Sequence, residues 1–168
     1  MKKINLSAIF LISLASILPA AVSAEPFVIS VDGSKVFDQK TGLTWQRCRV
    51  GRIFTGDRLT GDCFLISGAT NLFNHEDALK FAQTAYPYGG WRLPSIKELS
   101  SIVSLTRSNL AIDTTVFPGN VSDSSYWSAS PYLVDPNNAW GITFSYGFVG
   151  LAPRSESRFV RLVSSNPF

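Results

Sequence analysis

Four arginines, Arg47, Arg49, Arg52 and Arg58, crowd one short stretch beside Cys48. Each guanidinium is a planar fork of N–H donors that matches the oxygens of a sulfate, phosphate or carboxylate. The stretch is therefore a candidate anion-binding loop, although Asp57 and Asp62 in the same stretch offset part of its charge. The competing reading is a solvated loop with no ligand. Cys48 and Cys63 are the only cysteines. Two thiols with one remote histidine fall short of the four clustered ligands of a structural zinc site. His75, the single histidine, would have to be the base of any Ser-His-Asp hydrolase. It sits in Asn74-His75-Glu76-Asp77, which reads as the first turn of a helix with a solvated imidazole. The chain contains no phosphate-binding glycine loop, paired-histidine metal motif or nucleophile elbow.

The compartment decides how the cysteines are read. Lys2-Lys3, the apolar run Leu6 to Ala21 and the small residues Val22-Ser23-Ala24 have the layout of a signal peptide over 1–24. Residues 25–168 then form one exported domain, and the two cysteines are expected to pair outside the reducing cytoplasm. Lys2 and Lys3 are the only charged residues of the signal, so removing it lowers the net charge from +3 to +1. A charge that small argues against a generic nucleic-acid binder. After the signal, no stretch is long and apolar enough to span a membrane.

The elements that would position these residues read as β, then α, then β. Phe27 to Val31 is a predicted strand. Lys35 to Asp38 and Leu43 to Gln46 flank Thr41-Gly42 as a hairpin. Arg47 to Thr70 lacks periodicity and reads as a long loop pinned by the cysteine pair. Asn74 caps a helix with an apolar stripe at Ala78, Leu79, Phe81, Ala82 and Ala85. Trp91-Arg92-Leu93-Pro94 reads as a short buried strand, and Ser95 to Glu98 as a capping box opening a second helix. Glu98 is thus read as a cap rather than a catalytic acid. Beyond it, Ile112 to Pro118 reads as extended, followed by a strand at Ser125 to Ser128. A hairpin over Ala139 to Ser145 and Phe148 to Ala152, then a closing strand at Phe159 to Val163, complete an α+β domain.

Several motifs in this order resemble one family. They are Thr41-Gly42-Leu43-Thr44-Trp45-Gln46-Arg47-Cys48, Gly61-Asp62-Cys63, Gly89-Gly90-Trp91-Arg92-Leu93-Pro94-Ser95 and Ile96-Lys97-Glu98-Leu99. Ala111-Ile112-Asp113, Phe117-Pro118, Tyr126-Trp127-Ser128-Ala129-Ser130-Pro131, Ala139-Trp140, Tyr146-Gly147 and Val160-Arg161-Leu162-Val163 follow. The chain resembles the C-terminal domain of the Legionella collagen-like adhesin. The resemblance implies a C-type-lectin-like fold, akin also to the formylglycine-generating enzymes, with two helices flanking a small irregular antiparallel sheet. Trp45, Trp91, Arg92, Pro94, Ser95, Glu98, Trp127 and Trp140 would be its structural motif residues, Arg92 needing a carboxylate or carbonyl partner once drawn inward. The late cysteine pair of the formylglycine-generating enzymes is missing, since no cysteine follows Cys63. Asp135-Pro136-Asn137-Asn138 only faintly echoes a calcium-lectin loop and lacks the oxygen ligands calcium wants.

The resemblance implies an exported, non-catalytic binding module without metal or cofactor, periplasmic, on the cell surface or secreted. Sulfated glycans such as glycosaminoglycans are its first expected ligand class, with Arg47, Arg49, Arg52 and Arg58 as the binding residues. Arg154, Arg158 and Arg161 form a second cationic group that strand alternation splits between two faces. The alternative is a protein-interaction or structural module of an envelope or pilus assembly, contacting an envelope or host surface protein through Tyr86, Tyr88, Tyr132 or Tyr146.

Overall fold

The computed structural model describes residues 26–84, 90–107, 110–120 and 125–168. The expected signal segment, together with Tyr86 and Tyr88, lies outside the described residues. Strands β1 (Phe27–Ile29), β2 (Lys35–Asp38) and β3 (Leu43–Gln46) form an antiparallel meander, which β9 (Val163–Ser164) joins beside β3. The β2–β3 turn closes on Asp38, whose carboxylate accepts from the Lys40 amide at 2.9 Å and the Thr41 hydroxyl at 2.6 Å.

The stretch after β3 differs from the expected irregular loop. It contains an antiparallel hairpin of β4 (Arg52–Thr55) and β5 (Asp62–Leu65), with Phe54 opposite Cys63. Its exposed outer face pairs the apolar Ile53 with Phe64 as well as Thr55 with Asp62. The usual polar-outside alternation is therefore blurred, and that alternation is what marks a strand in sequence.

Helix α1 (His75–Thr84) is capped by Asn74, whose side chain accepts from the Asp77 amide. Helix α2 (Ile96–Ser101) opens on the expected capping box, with Ser95 and Glu98 each satisfying the other's amide. The two helices lie on opposite faces of a third sheet, ordered β6 (Ser125–Pro131), β7 (Asn138–Thr143) and β8 (Phe148–Pro153). Alternation along these strands builds two cores. Tyr126, Ile142 and Val149 face a cluster containing Trp45, Leu99, Ile102 and Phe117. Trp127, Ala139 and Ala152 face the other, with Ala78, Ala82, Leu93, Val160 and Leu162. Each large side chain so buried contributes about 1.5–3 kcal/mol.

Three expected extended stretches are tighter or shorter than anticipated. Ile112 to Pro118 is a turn rather than a strand, because the Asp113 carboxylate gathers the amides of Thr115 and Val116. Of Phe159 to Val163 only Val163 enters a strand, while Phe159 makes an isolated bridge to Tyr126. Trp91 to Pro94 is held by one bridge, Arg92 to Val163. Among the described residues the domain is α+β, with two helices and several small antiparallel sheets.

Candidate functional site

Cys48 and Cys63 form the expected disulfide, tying the start of the loop to β5 with Cα atoms 5.5 Å apart. The arginines around it do not form one cationic face, which corrects the expected ligand set. Arg47 has no exposed surface and donates to the carbonyls of Val116, Gly33, Arg58 and Thr115 at 2.8–3.0 Å. Its guanidinium also lies 4.3 Å from the centre of the Phe54 ring. Arg49 is buried as well, 3.6 Å over the Phe159 ring, with Nε and Nη1 lacking a hydrogen-bond partner. Burial pushes the pKa of both guanidinium groups downward. Side chains enclosed in this way cannot fork onto an external sulfate. Arg52 is half-buried, donating from Nη1 to the Cys63 carbonyl at 2.6 Å, and Arg58 is exposed.

The second cationic group is dispersed too. Arg161 is fully buried between Phe117 and Tyr126 and donates to the carbonyls of Gln46 and Arg47. Arg158 pairs with Glu156 at 3.0 Å, and Arg154 reaches the Asn138 carbonyl.

The motif residues sit where packing needs them. Arg92 makes a two-pronged pair with Glu98 at 2.6 and 2.8 Å, the carboxylate partner its burial called for. The same carboxylate accepts from the Ser95 amide at 2.7 Å. Arg92, followed by the Ser95 contacts, holds the Glu98 pKa down to about 2. Pro94 is buried and its carbonyl accepts from Ala129, linking this segment to β6. Trp45 and Trp127 are fully buried, and Trp127 donates to the Phe73 carbonyl at 2.8 Å. Trp140 is half-buried against Tyr132. Asp135 accepts from the Asn137 amide and the Asn138 side chain, as an ordinary turn does. Tyr146 is exposed.

His75 departs from expectation. It is 1% exposed, with Nε2 2.9 Å from the Ser128 carbonyl and the ring edge-on to Trp127. A carbonyl only accepts, so Nε2 carries the proton. Nδ1 is buried without a partner, and burial lowers the pKa. A capping position suggests solvent, but here the first turn of α1 is pressed onto β6.

What sequence reasoning missed is a shallow furrow beside the disulfide. One concavity of about 290 Å³ is lined by Ser34, Lys35, Gln46, Arg52 and Phe54, with Trp91 at its border. A second, about 200 Å³, shares Lys35 and Trp91 and continues along Thr44 and Asn166. Trp91 was expected to be buried, yet it is only half-buried. Among the described residues the furrow is lined by two cationic side chains and no acidic one, with the Asp32 carboxylate nearby, bonded to Ser34. Two other concavities differ, one bordered by Asp62 and the other by Asp38 and Asp113. One signal was legible, since the β2–β3 hairpin register places Lys35 opposite Gln46.

With this geometry in place, comparison with known proteins assigns the class. Residues 34–164 match the Lcl C-terminal domain, and the chain belongs to that family. No curated protein matches the sequence. The family suggests an adhesin-related module, and both it and the disulfide are compatible with an exported protein. Among the described residues, no helix is long and apolar enough to cross a membrane.

Proposed function

We propose that this domain is an exported, non-catalytic binding module that recognises sulfated glycans of the glycosaminoglycan type on a C-type-lectin-like scaffold. The observation that carries the reading is the charge left around the β4–β5 hairpin. Among the described residues the acidic side chains Glu76, Glu98, Asp113 and Glu156 pair with Lys80, Arg92, Arg107 and Arg158. Lys35, Arg52 and Arg58 enter no such pair, and the unpaired Asp57 and Asp62 of the same hairpin, with Asp32 near Lys35, offset only part of what they could offer an anion. A cation without a carboxylate partner keeps its affinity for an external anion. Two helices on opposite faces of a small antiparallel sheet, with long ordered loops, support the scaffold.

Heparin-affinity elution in a salt gradient, with a cation exchanger as control, tests the reading. Without the expected signal segment the net charge is +1, which gives weak retention on the exchanger, so elution from heparin at clearly higher salt is the expected result. Equal, early elution from both columns would overturn it and favour the protein-interaction reading. Exposed Tyr146 and the apolar Ile53 and Phe64 on the outer face of the hairpin are the features that favour that alternative.

A further inference from the structure

We infer that the furrow crossing Trp91 is the saccharide subsite of this domain: a sugar ring lies on the indole, its acidic substituent meets Lys35 and Arg52, and the glycan chain continues past Thr44 and Asn166. The inference rests on the glycan reading above and adds the place and the pose.

Four observations converge on it. The indole of Trp91 is half-buried, so it is held rigidly while one part stays open, and a flat apolar surface of this kind suits the C–H face of a pyranose. Lys35 and Trp91 border both concavities, so a ligand on the indole extends into either arm while staying next to the ammonium. The walls carry the amides of Gln46 and Asn166 and the hydroxyl of Ser34, donor–acceptor groups that match sugar hydroxyls. Thr44, only 1% exposed, borders the second concavity with its hydroxyl lacking a hydrogen-bond partner. A buried hydroxyl left unpaired is costly, and a ligand oxygen in that arm relieves the cost.

The shape points the same way. Drug-sized ligands fill enclosed pockets of about 300–1,000 Å³. The two arms, about 290 and 200 Å³, fall below that range, as expected for a polymer laid across a surface. Stacking on an aromatic beside cations also suits a single-stranded nucleic acid. Two cations among amides and hydroxyls are few for tracking a phosphate backbone, so the saccharide is favoured.

Titration of the full chain with a heparin-derived oligosaccharide, its desulfated counterpart and oligothymidylate, followed by calorimetry, decides. The sulfated oligosaccharide should bind, with affinity falling about ten-fold or more in Trp91→Ala and in Lys35→Glu. Lys35→Glu should also flatten the salt dependence. Trp140→Ala and Lys97→Ala, away from the furrow, should leave affinity unchanged. Lys35 is a partly exposed strand residue, so that variant tests the site even if Trp91→Ala unfolds. Wild-type affinity in folded Lys35→Glu would overturn the subsite and leave the glycan reading standing. No wild-type binding to any sulfated glycan would overturn both. Tighter binding of oligothymidylate than of the sulfated oligosaccharide would overturn the saccharide assignment.

Discussion

A guanidinium is tolerable in a protein interior only when other oxygens replace the water it has lost. Arg47 meets that condition with four carbonyls drawn from three separate segments. Two of them, at Thr115 and Val116, are 68 and 69 residues away in sequence. No pattern near Arg47 announces such partners, so an arginine-rich loop read as a surface patch while half of it is interior scaffold. Lysine cannot reproduce the planar fork, and Arg47→Lys should lower stability by about 3 kcal/mol in urea titration. An unchanged midpoint would show that the carbonyls find other donors. The Arg92–Glu98 pair, by contrast, is legible, because a capping box sets Glu98 six residues from an arginine that must find a partner. Its pH dependence follows. Glu98 has its pKa lowered from 4.5 to about 2 when folded, so the stability it confers is full above about pH 5 and fades as pH falls towards 2. Glu98→Gln should cost about 2 kcal/mol at neutral pH, moderated by the partial exposure of Arg92. The gap from wild type should close on acidification; a gap independent of pH would show that the carboxylate charge is not what stabilises.

At the scale of elements, alternation made the β2–β3 and β7–β8 hairpins readable, and spacing did the same for both helices. The β4–β5 hairpin escaped because apolar Ile53 and Phe64 stand on its outward face and Arg52 on its inward one, which blurs the contrast between faces that marks a strand. What holds that hairpin to the body is local and specific. Gly33, in the β1–β2 turn, has φ +72°, and a Cβ there would stand 2.3 Å from Phe54 Cε1. That ring is itself fixed by the Arg47 guanidinium stacked on it. Gly42, in the β2–β3 turn, has the same φ but open space around it. The pair separates backbone strain from packing. Gly42→Ala should cost about 1 kcal/mol, from the left-handed backbone alone. Gly33→Ala should cost about 3 kcal/mol by adding displacement of Phe54 to the same strain. Its thermal transition should fall well below that of Gly42→Ala, and equal losses would mean that the ring moves freely.

Across the whole molecule, the arrangement of the two cores sets how the domain unfolds. Neighbouring residues of β6 serve different clusters, Tyr126 one and Trp127 the other, and β7 does likewise through Ile142 and Ala139. Neither core can lose its sheet wall without stripping the other. The β3 sheet adds a second link, since Trp45 lies in one cluster while β3 pairs with β9, whose preceding residues Val160 and Leu162 lie in the other. Unfolding should therefore be a single transition, with far-ultraviolet dichroism, near-ultraviolet dichroism and tryptophan fluorescence sharing one midpoint. Truncating either side should shift all three together. Leu99→Ala beneath α2 and Leu162→Ala beneath α1 should each cost about 2–5 kcal/mol, with no probe lagging behind the others. A fluorescence change that separates from the far-ultraviolet signal in only one of these variants would show that the cores melt independently. The furrow depends on the same continuity, because its walls come from β2, β3 and β4 and the segment carrying Trp91, which bridges to Val163. A binding surface assembled from so many elements keeps its shape only while the whole fold stands. A glycan that binds there should therefore stabilise the single transition by RT ln(1 + L/Kd), with L the free glycan concentration, rather than protect one segment.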